Sequence, residues 1–241
     1  METDNIFKPK IERSSDFSFD ANVTKVFDNM IVRSIPFYLE VQRMIAEIAK
    51  DYAKPGTNVY DLGCSTGTTF ISLNSILDES IGFVGIDSSH EMLNQCNDNL
   101  NLVGFTRTFK LIADDLNKSI KIKNTSVVIS SLTLQFVRPP KRAQLLQSIY
   151  NQLNPGGCII LFEKVLGESP EFNRQFIKYY YDYKRRNNYN EMEIAQKREA
   201  LENVLVPYRL IENIEMLSEI GFHSIETFFK WYNFAGIVAL K

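Results

Sequence analysis

Apolar positions recur along this chain with two different periods. Over residues 23–31 and again over 38–52 they fall three or four apart. In the second stretch Val41, Met44, Ile45, Ile48 and Tyr52 share one stripe, the spacing of an amphipathic helix. Pro36 separates the two segments. From Asn58 onward the text changes to short apolar runs that close on acidic or small residues: "NVYDLG", "IGFVGIDSS", "FKLIADD", "SVVISSLTLQF" and "GGCIILFEK". Each reads as a buried strand. Helix-length stretches such as 88–100 and 141–153 lie between them, and "NPGG" at 154–157 stops the second before the fifth strand. This alternation predicts an α/β fold, a doubly wound and mostly parallel sheet with helices on both faces.

After the fifth strand the alternation stops. Residues 170–205 are long, polar, aromatic-rich and predicted helical, and 212–220 form a last helix. "HSIETFFKWYNFAGIVALK" contains two strand-like segments meeting at Tyr232 and Asn233, an antiparallel C-terminal hairpin at the end of the sheet. No repeat or low-complexity linker divides the chain, so one domain is expected. Its parts are an N-terminal helical extension or cap (1–57), a cofactor-binding core (58–166), a helical insertion (167–210), and a final helix with the hairpin (211–241).

Composition narrows the picture. A hydrophobic content of 44% fills a substantial core, and 27 basic against 29 acidic residues leave a net charge of −2, so no global field draws the chain to nucleic acid or anionic lipid. "KYYYDYKRRNNY" (178–189) is basic with interleaved aromatics. It reads either as a nucleic-acid patch or as a helix with one solvated and one packed face, and the neutral balance favours the second. Cys64, Cys96 and Cys158 are odd in number and widely spaced, which argues against a disulfide framework or a metal site and for a reducing compartment. Residues 1–13 lack the apolar core of a secretory signal, and no run reaches the ~18 apolar residues of a membrane span. A cytoplasmic protein without membrane attachment is expected.

"VYDLGCSTGTTF" (59–70) is the first candidate for chemistry. Its G-x-S-x-G would make Ser65 the nucleophile of a hydrolase elbow, but only His90 and His223 could serve as base, and the motif sits on the first strand. A dinucleotide turn would need glycines where Ser65 and Thr68 stand. Moreover, Asp61, Asp87, Asp114 and Asp115 fall at or just past strand ends, where an open parallel sheet binds its ligand and where several carboxylates would repel a pyrophosphate. They suit S-adenosylmethionine, which carries a sulfonium, an ammonium and free ribose hydroxyls. Asp61 and the Gly63, Cys64 and Ser65 backbone would approach its methionine portion. Asp87 would accept both ribose hydroxyls, Asp115 would meet the adenine, and Ser130 would close the pocket. Each aspartate alone could equally be a helix cap or turn former. Cys64 and Ser65 could be called nucleophiles, but as small residues where backbone meets ligand they need no such role.

In "EIAQKREALENVL", helical spacing puts Arg198 in a stripe with Ile194, Leu201 and Leu205. A guanidinium keeps its charge, so it needs water or an anion there. It is either paired with one of the nearby glutamates or a bidentate clamp on a carboxylate ligand.

The chain resembles the carboxy-S-adenosyl-L-methionine synthases, within the S-adenosylmethionine-dependent methyltransferase superfamily, over nearly its whole length. The resemblance rests on "SIPFY", "VYDLGCSTG", "LTLQF", "LNPGG" with "EK" after it, "DYKRRNNYNEMEIAQKREALENV" and "NFAGIVALK". It implies a methyltransferase-like Rossmann fold and a cofactor site at Tyr38, Gly63 to Ser65, Asp87 with Ser88, Asp115 with Leu116, and Ser130. Ser88 and Ser130 stand where the family often has Asn. Arg198 would clamp the carboxylate. The implied reaction joins S-adenosylmethionine and prephenate to give carboxy-S-adenosylmethionine, phenylpyruvate and water, without a metal. Prephenate loses carbon dioxide, and a sulfonium ylide captures it in a pocket that excludes water, with Tyr38, Phe136 and Tyr179 to Tyr181 as candidate walls. A homodimer is implied, linked to a tRNA carboxymethyltransferase that makes 5-oxyacetyl uridine, without direct nucleic-acid binding. A conventional methyltransferase acting on RNA or a small molecule, and a non-catalytic cofactor-binding partner subunit, remain the alternatives.

Overall fold

The computed structural model describes residues 3–10 and 16–241, so part of the leader read over residues 1–13 lies outside the described residues. Helix α1 (Ala21–Ser34) opens where the Asp20 carboxylate accepts from the N–H groups of Asn22 and Val23, and stops at the extended Ile35, as the following proline requires. Helix α2 (Tyr38–Tyr52) buries Val41, Ile45 and Ala49 completely, one residue per turn along the expected stripe.

The core then alternates as β1 (Asn58–Leu62), α3 (Thr68–Asn74), β2 (Gly82–Asp87), α4 (His90–Leu102), β3 (Phe109–Ala113), β4 (Thr125–Ser131), α5 (Pro139–Gln152) and β5 (Leu153–Leu166). After it come α6 (Pro170–Arg186), α7 (Glu191–Leu201), β6 (Tyr208–Arg209), α8 (Leu210–Ile220), β7 (His223–Trp231) and β8 (Phe234–Leu240). The sheet order is β3-β2-β1-β4-β5-β8-β7, with β6 pairing the end of β5. Strands β1 to β5 run parallel, and β8 and β7 add an antiparallel edge. Successive residues of a strand face opposite ways. Val59, Phe83, Val127, Ile160 and Phe162 therefore pack under α2, α3 and α4, whereas Tyr60, Val84, Val128 and Leu161 pack over α5 and α8. This is the doubly wound α/β fold that the alternation predicts, closed by the C-terminal hairpin.

Three local features differ from the sequence reading. The strand expected through "LTLQF" ends at Ser131. Leu132 turns into the left-handed region with φ 57°, and Leu134–Phe136 form a single 3-10 turn. The helical stretch expected over 170–205 is broken between α6 and α7, where Asn188 has φ 64° and the Asn190 and Glu193 side chains form a capping box that restarts the helix. The short α3 and two-residue β6 carry too few apolar positions to show a period.

Candidate active site

The strand order reverses between β1 and β4, and a cavity of about 390 Å³ opens there, at the carboxyl ends of the strands. The turn after β1 forms its floor. Gly63 and Gly67 take φ of 71° and 87°, which glycine adopts without steric cost. A Cβ on Gly63 would also fall 2.2 Å from Thr133 Oγ1, so the turn and "LTLQF" approach each other only through a bare backbone. The Asp87 carboxylate braces this floor, accepting from Ser65 N (3.0 Å) with one oxygen and from Ser89 N (2.9 Å) with the other. Burial pushes Asp87 up while those donors oppose the shift. The Ser88 N–H pulls the same way, and the carboxylate keeps acceptor capacity for a ligand. Asp115, just past the end of β3, accepts from Asn117 N at 2.9 Å, and the Asn117 donors hold its carboxyl below its ordinary value; both aspartates form turns and also border the cavity.

Of the residues named from sequence, Tyr38, Gly63, Cys64, Ser65, Asp87, Ser88, Asp115, Leu116 and Arg198 border this one cavity. Asp61 and Ser130 do not. Asp61 lies buried on the face beneath the turn with Oδ2 unpartnered among the described residues, and burial pushes its carboxyl up to about 7. At the end of β4 it is Ser131 and Leu132, not Ser130, that reach the cavity. Of the aromatic walls, Tyr38, Phe136, Tyr180 and Tyr181 border it, while Tyr179 packs outside against Tyr232.

Among the described residues nothing around the turn activates a nucleophile. The Ser65 hydroxyl donates to Met92 Sδ at 3.3 Å, and His90 and His223 are exposed, on α4 and the edge strand. A hydrogen bond with Cys96, with burial and Asp61 behind it, holds the Cys64 thiol well above its usual range. Among the described residues no cluster of His, Cys, Asp or Glu could hold a metal ion, and no helix is long and apolar enough to cross a membrane.

Arg198 requires a correction. The inward face of α7 carries Glu193, Ile194, Lys197 and Ala200, so the lysine, one position earlier, is the buried cation, and Arg198 is exposed at the cavity rim. No carboxylate pairs with Arg198 among the described residues. Sequence reasoning also missed Phe17 and Phe19, which reach the cavity from the segment before α1, and Lys164, Lys184 and Lys197, which border it from β5, α6 and α7. Phe19 stacks edge-on against Phe136 with centroids 5.4 Å apart. Phe17 and Phe19, alternating with polar residues in "DFSFD" just before α1, were the available signal.

Behind "LTLQF" stands Glu163 of β5. Its carboxylate accepts from the N–H groups of Thr133, Leu134 and Gln135 at 3.2, 2.9 and 3.0 Å. Burial pushes it up to about 8, while the three donors and Arg142 pull the other way. The fully buried Arg142 donates to the carbonyls of Val137, Gln135 and Val206. The wall facing Gly63 is thus tied to both β5 and the segment after α7.

An acid-rimmed crevice at the reversal point of a parallel sheet, with an antiparallel hairpin at its edge, defines the methyltransferase class of S-adenosylmethionine-dependent enzymes. Residues 59–157 match the model of the methyltransferase domain family. Human N-acetylserotonin methyltransferase, solved in complex with SAM, superposes with a TM-score of 0.60 at 15% identity, over 92% of this chain and 55% of that one. A SAM-dependent methyltransferase from Aquifex aeolicus gives 0.60 at 16%, over 92% and 99%. At these identities the likeness is one of fold. Sequence carries it further: a carboxy-S-adenosyl-L-methionine synthase of Methylococcus capsulatus is 52% identical over 100% of both chains, and one of Helicobacter hepaticus is 43% identical over 99% of both. The chain belongs to the carboxy-S-adenosyl-L-methionine synthase family, and is a transferase.

Proposed function

We propose that the protein converts S-adenosylmethionine and prephenate into carboxy-S-adenosylmethionine and phenylpyruvate, acting as a homodimer that supplies a tRNA carboxymethyltransferase in wobble-uridine modification. The observation that carries this reading is a guanidinium, that of Arg198, without a carboxylate partner among the described residues at the rim of a cavity whose opposite wall is acidic. In this reading Asp87 uses its spare lone pairs for the ribose hydroxyls, with Ser88 beside it. Asp115 and Leu116 flank the adenine. Tyr38 and the Gly63 to Ser65 turn face the methionine portion, with Asp61 beneath that turn and Ser130 behind Ser131. Arg198 reads the carboxylate that distinguishes product from substrate.

The atoms balance without a metal. Prephenate aromatises as it releases carbon dioxide and hydroxide. The methyl carbon on the positive sulfur gives its proton to that hydroxide, forming water, and its electron pair makes the new bond to carbon dioxide. The protein's task is to exclude bulk water from that carbon, and Phe19, Phe136, Tyr180 and Tyr181 supply apolar walls for it.

Incubation with S-adenosylmethionine and prephenate is expected to give a product heavier by one carboxylate in mass spectrometry. Release of S-adenosylhomocysteine with indifference to prephenate would support a conventional methyltransferase instead. Arg198→Ala is expected to lose about 1.5–3 kcal/mol of preference for the carboxylated ligand over S-adenosylmethionine, the worth of one charged hydrogen-bonded contact, in competition calorimetry. Equal losses for both ligands would count against the clamp.

A further inference from the structure

The cavity is divided by charge. On the β2 and β3 side it meets Asp87, Asp114 and Asp115; across the reversal point it meets Lys164 on β5, Lys184 on α6 and Lys197 on α7. Lys184 and Lys197 are only 5% and 7% exposed. Among the described residues none of the three has a carboxylate within 4.0 Å. They have aromatic faces and one hydroxyl instead. The Nζ atoms of Lys164 and Lys184 lie 5.2 and 4.7 Å from the centroid of the Tyr180 ring. Lys197 Nζ donates to Ser34 Oγ at 3.1 Å.

The acid that faces Lys184 and Lys197 is Asp4, whose carboxylate accepts from Tyr189 O–H at 2.5 Å. Arg33 adds a further cation nearby, donating to the Asp4 backbone carbonyl and lying over the Tyr189 ring. Among the described residues one carboxylate therefore acts on Lys184 and Lys197, against three clustered ammoniums and a guanidinium. Lys184 is also close enough to Lys164 and Lys197 to be repelled by both. Like charges held together out of water are costly unless an anion joins them, and such an arrangement in a cleft marks a candidate ligand site.

We propose that Lys164, Lys184 and Lys197 form a dicarboxylate subsite that holds the second substrate against the sulfonium. The assignment rests on the function proposed above, in which that substrate carries two carboxylates. With Asp4, a monocarboxylate would match two of these four cations and leave two unmatched; a dicarboxylate matches three. Separation of the acidic and basic walls then orients the two substrates by charge, the cationic nucleoside to one side and the dianion to the other.

The test compares wild-type protein with Lys164→Met, Lys184→Met and the double variant. The readouts are the KM for prephenate, the Kd for fumarate as an unreactive dicarboxylate, and the Kd for S-adenosylhomocysteine. The double variant is expected to weaken prephenate and fumarate by about tenfold or more, and S-adenosylhomocysteine by less than about twofold. Lys164→Arg and Lys184→Arg, which keep the charge, are expected to recover part of the loss. Unchanged prephenate KM and fumarate Kd, or a loss confined to S-adenosylhomocysteine, would overturn the subsite. Wild-type protein that binds fumarate but makes no carboxylated product would remove the proposed function and keep the subsite. An active wild type whose lysine variants match it would do the reverse, and binding of neither dicarboxylate would remove both.

Discussion

Gly63 concentrates at one residue two demands that sequence shows only singly. Its φ of 71° calls for glycine in a turn, and this much is legible in "DLGCSTG". The second demand, the approach of Thr133 to 2.2 Å from where a Cβ would stand, comes from a loop about seventy residues away in the chain and is invisible to any local pattern. Gly63→Ala is therefore expected to cost about 1–3 kcal/mol in urea unfolding, more than positive φ alone would. Thr133→Ala in the same chain should return part of that loss, because it removes the Oγ1 and Cγ2 atoms that crowd the new methyl. Additive losses would mean that the two loops do not press on each other. The residues read least well were the cations. Lys184 sits in the charge run "KRR", which ordinarily signals a solvated face, yet it shares the buried face of α6 with Tyr180, one turn earlier. For α7 the helix was legible but its phase was not. Glu193, Ile194, Lys197 and Ala200 point inward, and a stripe drawn through Ile194 and Leu201 takes Arg198 where the fold takes Lys197.

At the scale of elements, every predicted core strand exists, because a buried parallel strand must be a short apolar run whatever surrounds it. What sequence could not give was where β4 stops. "SVVISSLTLQF" is apolar and β-branched through most of its length, yet the chain leaves the sheet at Leu132 because Glu163 of the neighbouring strand collects the N–H groups of Thr133, Leu134 and Gln135. A carboxylate from another element thereby replaces the ladder bonds those groups would otherwise make. Glu163→Gln puts an amide N–H₂ where an acceptor is needed, facing the Gln135 N–H donor that Oε2 now satisfies. A loss of about 1–3 kcal/mol in thermal or urea unfolding is expected, together with weaker S-adenosylmethionine binding, since Thr133 stands directly over Gly63. Unfolding curves that overlay the wild type would show that the 3-10 turn holds itself.

The division of charge across the whole molecule makes its stability depend on pH in a way that ligands should erase. Burial pushes Lys164 and Lys197 down to about 8 from an ordinary value of 10.5, and burial beside two other lysines holds Lys184 well below that ordinary value. A lysine lowered on folding contributes stability that is present above 10.5 and is lost as pH falls through about 8. Asp61 has the opposite sense: raised to about 7, it contributes stability that is complete below 3.8 and is lost as pH rises through 7. Glu163, raised to about 8, follows Asp61. The two trends meet near neutral pH, where the free protein carries both burdens at once, an anion beneath the turn and cations facing one another across Tyr180. Urea unfolding of wild type and of Lys164→Met/Lys197→Met should therefore diverge between about pH 8 and 10, the wild type gaining up to about 1.4 kcal/mol per pH unit for each lysine relative to the variant. A saturating dicarboxylate should flatten that difference, because a bound anion restores the lysines toward their ordinary values. Parallel curves across this range would mean that these ammoniums reach water, and the charge division would then carry no energetic weight.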